Sequence, residues 1–200
     1  IGTEYASILA MIGVRVVLID KRPRLLEFVD AQIIDTLQQQ MTDIGVTLCH
    51  EEEVVAVKKE PDGQVTVSLT HRPPITTTTL MYAIGRIGAT KRLNLEAIGI
   101  TPDARGRVIV NGHFQTAVPH IYAAGDVIGF PALASTSMQQ GRHAACHAFG
   151  YPDHTDTDLL PYGIYAIPEI SMVGRNEEDL AKAEIPYAVG IAHYREIARG

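Results

Sequence analysis

Long apolar runs are missing from this sequence. Nothing in its 200 residues approaches the ~20 consecutive apolar positions needed to cross a bilayer, and no charged-then-apolar leader opens it. Cysteine is almost absent as well. Cys49 and Cys146 lie far apart and form no C-x-x-C pair, so a disulfide-stapled miniprotein is excluded and both are expected as reduced, buried thiols. Cations are sparse: 17 Lys and Arg stand against 23 Asp and Glu, the net charge is −6, and no basic run exceeds Lys21-Arg22. Nucleic acid and anionic membranes, which need a positive stripe, are therefore excluded as partners. With 46% hydrophobic and 20% charged residues the chain has ample material for a core, and disorder is excluded too. A soluble, cytoplasmic protein is the expectation. There is no initiator Met at Ile1, and the opening residues already follow a helical pattern, so an internal segment of a longer protein is expected.

What is present alternates between helical and extended patterns. Ile1, Tyr5, Ile8, Leu9 and Ile12 recur at one-face helical spacing with Gly2, Ala6 and Ser7 between them, and Gly13 ends the run. Val14 to Asp20 is short and β-branched, which predicts a buried strand ending in an acid. Asp30 then caps a helix carrying Ile33, Ile34, Leu37 and Met41, and Gly45 stops it before a strand at Val46 to Cys49. From Val54 the pattern alternates, turns at Pro61-Asp62-Gly63 and returns through Val65, Val67 and Leu69 as a hairpin, with a Thr-rich edge strand after it. Further strands are predicted at Leu80 to Ile84, Val108 to Val110 and Ile121 to Ala124. Helices are predicted near Leu93 to Ile98 and from Leu133 to Phe149. His154 to Asp158 reads as a linker. Beyond it, strands at Gly163 to Tyr165, Glu169 to Val173 and Tyr187 to Ala192, with a helix from Glu177 to Ala183, form an α+β piece.

Three places carry candidate chemistry. In a dinucleotide-binding βαβ unit a glycine turn admits a pyrophosphate to a helix N-terminus, and an acid about 20 residues on meets the adenosine ribose. Gly2 and Asp20 occupy those places in a half-present fingerprint, although Gly2 equally suits close helix packing and Asp20 an ordinary strand end. Lys21 and Arg22 either meet a 2′-phosphate, which suggests tolerance of both NAD and NADP, or stand as solvated cations before a turn proline. Leu80 to Arg86 ends at Gly85, where a missing Cβ lets a flat ring approach, or merely permits a turn. Ile121 to Asp126 repeats that design and adds a carboxylate at Asp126 able to accept from ligand hydroxyls, and the following helix aims its first amides at an anion. Gly125-Asp126 is also a common turn dipeptide. His143 and His147 are four apart on a helix but have no further ligand in sight, so no metal is expected.

Gly2-Thr3-Glu4-Tyr5-Ala6, Tyr82-Ala83-Ile84-Gly85-Arg86 and Ile121-Tyr122-Ala123-Ala124-Gly125-Asp126 together resemble, in order and spacing, three signatures of the flavoprotein pyridine nucleotide-disulfide oxidoreductases. Within that family Thr116 to Gly141, Gly163 to Ser171 and Ile197-Ala198-Arg199 are most similar to members that pass hydride between NADPH and NAD⁺ by way of bound FAD. The resemblance implies an α/β architecture of Rossmann-like FAD/NAD(P)-binding domains, each a three-layer ββα arrangement, followed by the start of an α+β dimerisation domain. It divides the chain into an NAD(P)-binding part at 1–85, lacking its first strand and glycine turn, a returning part of an FAD-binding domain at 86–158, and the dimerisation start at 159–200.

It also implies roles. Gly2 closes the nucleotide turn, Glu4 lies near the nicotinamide, Asp20, Lys21 and Arg22 meet the adenosine ribose, and Gly85 lies at the nicotinamide dinucleotide. Gly125 and Asp126 bind FAD, and Ala134 presents its amide to the flavin. No catalytic side chain is singled out. The expected cofactors and substrates are FAD, NAD and NADP, and the expected assembly is a homodimer of the whole protein. Two rivals remain: a dithiol-using relative such as dihydrolipoamide dehydrogenase, and a non-catalytic module that binds NAD(P) as an isolated piece.

Overall fold

The computed structural model describes residues 1–152, 161–193, Glu196 and Ala198. The expected linker at His154 to Asp158 and the boundary after residue 158 lie outside the described residues. The chain opens with helix α1 (Gly2–Met11), strand β1 (Val17–Ile19), helix α2 (Ala31–Asp43) and strand β2 (Thr47–Cys49). β1 and β2 pair in parallel, with Val17 opposite Thr47 and Ile19 opposite Cys49. Parallel strands need a crossover between them, and α2 supplies it. The α2 boundaries follow the predicted residues: the Asp30 side chain accepts from the Gln32 amide, and Gly45 takes φ +95° just past the C-cap at Ile44.

An antiparallel meander follows, β3 (Val54–Lys59), β4 (Val65–Leu69) and β5 (Ile75–Thr77), in spatial order. Gly63 at φ +88° makes the first turn. The next long element is α3 (Ala134–Phe149), stopped by left-handed Gly150. One-turn helices at Leu95–Ile98 and Gly125–Ile128 precede α3, and the hairpin of β6 (Pro161–Ile164) and β7 (Ile170–Val173) and the short helix α4 (Glu177–Lys182) complete the described elements.

The core joins the two ends of the sequence. Leu25, Val29, Ile34, Leu37 and Met41 pack with Ala6, Ala10 and Val46 and, from the hairpin, with Ile164, Ala166 and Ile170. Polar contacts repeat that docking: Ser7 Oγ accepts from the Ile167 amide at 2.9 Å, and Asp30 Oδ2 accepts from the Glu177 amide at 3.3 Å.

Several predicted elements differ, for physical reasons. The stretch Leu80 to Ile84 forms no strand, and neither do Val108 to Val110, Ile121 to Ala124 or Tyr187 to Ala192. A strand exists through its ladder, and among the described residues the parallel sheet has two members only. Tyr82 and Ile84 accordingly stand exposed. Helix α1 buries its small side, Thr3, Ala6, Ser7 and Ala10, rather than its large apolar side, because small residues allow the close approach of residues 165–167. Tyr5, Ile8 and Met11 remain on the surface. Ile87 and Phe149 are likewise exposed.

Leu37, 1% exposed at the centre of the core, carries the most direct test of this packing. Leu37→Ala is expected to lower the unfolding free energy by about 2–5 kcal/mol, read as a fall in the urea midpoint. An unchanged midpoint contradicts the shared core.

Candidate functional site

The expected residues fall into two groups set at element ends. The first surrounds the C-terminal ends of β1 and β2. Backbone bonding continues past the strand ends: the Asp20 amide donates to the Cys49 carbonyl at 3.0 Å, and the Glu52 amide donates to the Asp20 carbonyl at 3.2 Å. Asp20 is thereby set beside His50. Both Asp20 oxygens are taken by Arg22, Oδ1 from Nε at 2.9 Å and from the backbone amide at 3.0 Å, Oδ2 from Nη2 at 2.6 Å. Burial pushes the Asp20 carboxyl up, but the Arg22 hydrogen bonds and charge, with a smaller contribution from His50, outweigh it and hold the group below its ordinary value. Arg22 is raised in turn, chiefly by the bond to Asp20. Lys21 is exposed beside them.

Glu52, 2% exposed, was not singled out by its sequence pattern. Its carboxylate accepts from the backbone amides of His71 at 2.7 Å and Arg72 at 3.3 Å, which ties the end of β4 to the end of β2. His50 was also missed. Both of its ring nitrogens are buried without a hydrogen-bond partner, and no sequence pattern signals that.

Gly2 and Glu4 lie in the first turn of α1. A Cβ at Gly2 would stand 3.3 Å from the Ala83 Cβ, so the glycine brings the helix start against the 80–85 segment. Glu4 accepts from the Tyr165 amide at 2.9 Å. Burial raises its carboxyl pKa, and the bond from the Tyr165 amide acts against that rise. Gly85 is exposed with φ +109°, a conformation that favours glycine.

The second group gathers at the start of α3. Gly125 has φ +81°, and a Cβ there would meet Ser137 Oγ at 3.0 Å. Its amide donates to the Oε1 of buried Gln140 at 2.7 Å. Asp126 pairs with Arg86 at 2.8 Å, so the 80–86 segment is bound to the 125–128 turn. Ala134 is the first residue of α3, whose N-cap Leu133 has no capping side chain, leaving the first amides as donors. Thr136, one turn in and 1% exposed, has an unpartnered hydroxyl. Arg86 and Gln140 were legible only as members of longer motifs.

No group of three or more His, Cys, Asp or Glu suited to a metal occurs among the described residues. His143 and His147 instead face His113, with the His113 and His147 rings stacked at 4.2 Å and Tyr122 hydroxyl 2.8 Å from His147 Nδ1. Both cysteines are free, Cys49 buried and Cys146 half-buried. A depression of about 540 Å³ lies along α2, lined by Gln32, Asp35, Thr36, Gln39 and Gln40, and holds none of the expected residues. The candidate residues stand at strand and helix ends, the places where α/β sheets commonly bind ligands. No helix is long and apolar enough to cross a membrane among the described residues.

A family model described as pyridine nucleotide-disulphide oxidoreductase matches residues 1–141. A soluble pyridine nucleotide transhydrogenase of Mycobacterium tuberculosis is 50% identical over 200 residues, covering 100% of this chain and 42% of the relative. One of Vibrio cholerae is 44% identical, over 100% of this chain and 43% of its own length. The chain thus spans well under half of these relatives. Among solved structures, LpdA of Mycobacterium tuberculosis superposes with a TM-score of 0.82 at 26% identity, over 90% of this chain and 39% of that one. The HOCl-induced flavoprotein disulfide reductase RclA of Escherichia coli gives 0.78 at 27%, over 89% and 41%.

The Asp20–Arg22 pair gives a pH test. Because the folded Asp20 pKa lies below the ordinary value near 3.9, the pair's contribution to stability is present above that value and lost as pH falls through the folded pKa. Arg22→Ala is expected to move the Asp20 carboxyl titration upward, since burial then acts with less opposition. The ¹³C shift of that carboxyl reads it, and an unmoved titration contradicts the pairing.

Proposed function

Since the chain belongs to the pyridine nucleotide-disulphide oxidoreductase family, we propose that the whole protein is a transhydrogenase that moves hydride between NADPH and NAD⁺. The carrying observation is the identity of 50% to a transhydrogenase along the entire chain, joined to an acid and a base paired at the end of β1. The reaction balances without a further reductant: NADPH and NAD⁺ become NADP⁺ and NADH. FAD, when bound, supplies the two-electron chemistry through which the hydride passes.

This chain's residues divide the binding work. Residues 1–85 form the NAD(P) part, 86–158 the returning FAD part and 159–200 the start of a dimerisation domain, in Rossmann-like three-layer units. Gly2 permits the close approach at the helix start, Asp20, Lys21 and Arg22 receive the adenosine ribose, and Glu4 and Gly85 stand towards the nicotinamide. Gly125, Asp126 and the Ala134 amide hold FAD. The fit of that group rests on the compact turn at Gly125, the uncapped amides of α3 and the orphaned Thr136 hydroxyl, a donor-rich corner suited to a polar, partly anionic ring. Asp126 would accept from hydroxyls of the ligand, giving up Arg86 to do so. The protein is read as a cytoplasmic homodimer, and positioning of two nucleotides in turn is its main contribution to rate.

The test uses the full-length protein purified with FAD. Hydride is expected to pass from NADPH to a thio-analogue of NAD⁺, followed by the analogue's absorbance. No transfer to the analogue, with reduction of a lipoamide-type disulfide in its place, overturns the reading in favour of a disulfide reductase like the structural neighbour RclA.

Asp126→Ala in the same protein is expected to lower FAD retention by about tenfold or more, in line with a hydrogen-bonded charged group removed from its ligand. Flavin absorbance that stays stoichiometric after dialysis contradicts the role.

A further inference from the structure

His50 and Asp20 are set by the parallel register. Ile19 faces Cys49, the next residues are Asp20 and His50, and neighbouring residues of parallel strands direct their side chains to the same face. Glu51, at φ +54°, turns the chain away immediately afterwards and leaves His50 as the last side chain on that strand. The imidazole is half-buried, and neither ring nitrogen has a partner.

An unmade hydrogen bond on a buried polar group is costly, so the His50 ring is a donor or acceptor held in reserve. The adjacent carboxylate does not satisfy it, because both Asp20 oxygens are occupied by Arg22. With its acid masked, the corner has donors to spare: the His50 ring and the exposed Lys21. A ribose hydroxyl alone would need the acid, whereas a phosphate, rich in acceptors, suits the donors. No hydrogen bond holds the ring in its present rotamer, and the role inferred for it requires that it turn a nitrogen towards the strand ends.

We infer that His50 is a specificity-determining residue of the adenosine end, donating a ring N–H to the phosphate of a 2′-phosphorylated adenosine and thereby favouring NADP(H) over NAD(H). The inference rests on the reading of the β1 and β2 ends as the adenosine site. The small contribution of His50 charge to the depressed Asp20 pKa fits the proximity.

Mononucleotides that occupy the adenosine end alone test it. The full chain, with His50 unchanged and as His50→Ala and His50→Gln, is titrated calorimetrically with 2′,5′-ADP and with 5′-AMP. For His50→Ala the affinity for 2′,5′-ADP is expected to fall about tenfold, as for a lost charge-assisted hydrogen bond, while that for 5′-AMP changes far less. His50→Gln, which keeps an N–H donor, recovers part of the loss. Equal weakening of both nucleotides, or unchanged 2′,5′-ADP binding, overturns the role of His50 and leaves the site in place. If the unchanged chain binds neither mononucleotide, the adenosine-site reading itself falls, and the inference with it. A His50→Ala chain that has failed to fold is recognised by its far-ultraviolet circular dichroism, and the His50→Gln titration then decides.

Discussion

The parallel pairing of β1 with β2 is the constraint on which the rest depends. Two strands of three residues each cannot hold a sheet by themselves. They persist because α2 is packed across them by Ile34, Leu37 and Met41, each 1% exposed or less, and because α1 and the β6–β7 hairpin close over the same core. Pairing fixes register, and register sets Asp20 beside His50. Moving either strand by one residue would turn its side chains to the other face, so the corner at Asp20 and His50 is a consequence of packing some distance away from it.

The second corner is built by different means. A one-turn helix at Gly125–Ile128 is pinned from below by Gln140 and from the side by Arg86. Backbone donors at the start of α3 and a carboxylate at Asp126 then share one small volume. The Arg86–Asp126 pair is largely exposed, and exposed pairs contribute little to stability. Its use is positional: it joins the 80–86 segment, which the first corner needs near α1, to the turn that the second corner needs.

Much of this was legible from local signals. Asp30, Gly45, Gly63 and Gly150 mark the ends of α2, the meander turn and α3, because caps and tight turns depend on residues next to them in sequence. Strands at 80–84, 108–110 and 121–124 were misread for the opposite reason. An apolar run says that a segment would be buried, and only a partner supplies the ladder that makes it a strand. The buried side of α1 was hidden too, since Ala6, Ser7 and Ala10 become the core face through the close approach of 165–167. Residues that belonged to motifs, such as Asp20, Gly125 and Asp126, were legible as candidates. Those created by register or by a long-range contact, such as His50, Glu52 and the Arg86 partner of Asp126, were not.

The central claim is that nicotinamide dinucleotide lies across the ends of β1 and β2 and the start of α1. A titration of the ¹⁵N-labelled chain with NADPH, followed by amide shifts, tests it most directly. The account expects the largest changes at Gly2 to Glu4, Asp20 to Arg22, His50 and Gly85, with the amides of Gly125 and Gln140 nearly unmoved. Changes confined to Gln32 to Gln40 along α2, or none at all at saturating nucleotide, would contradict it.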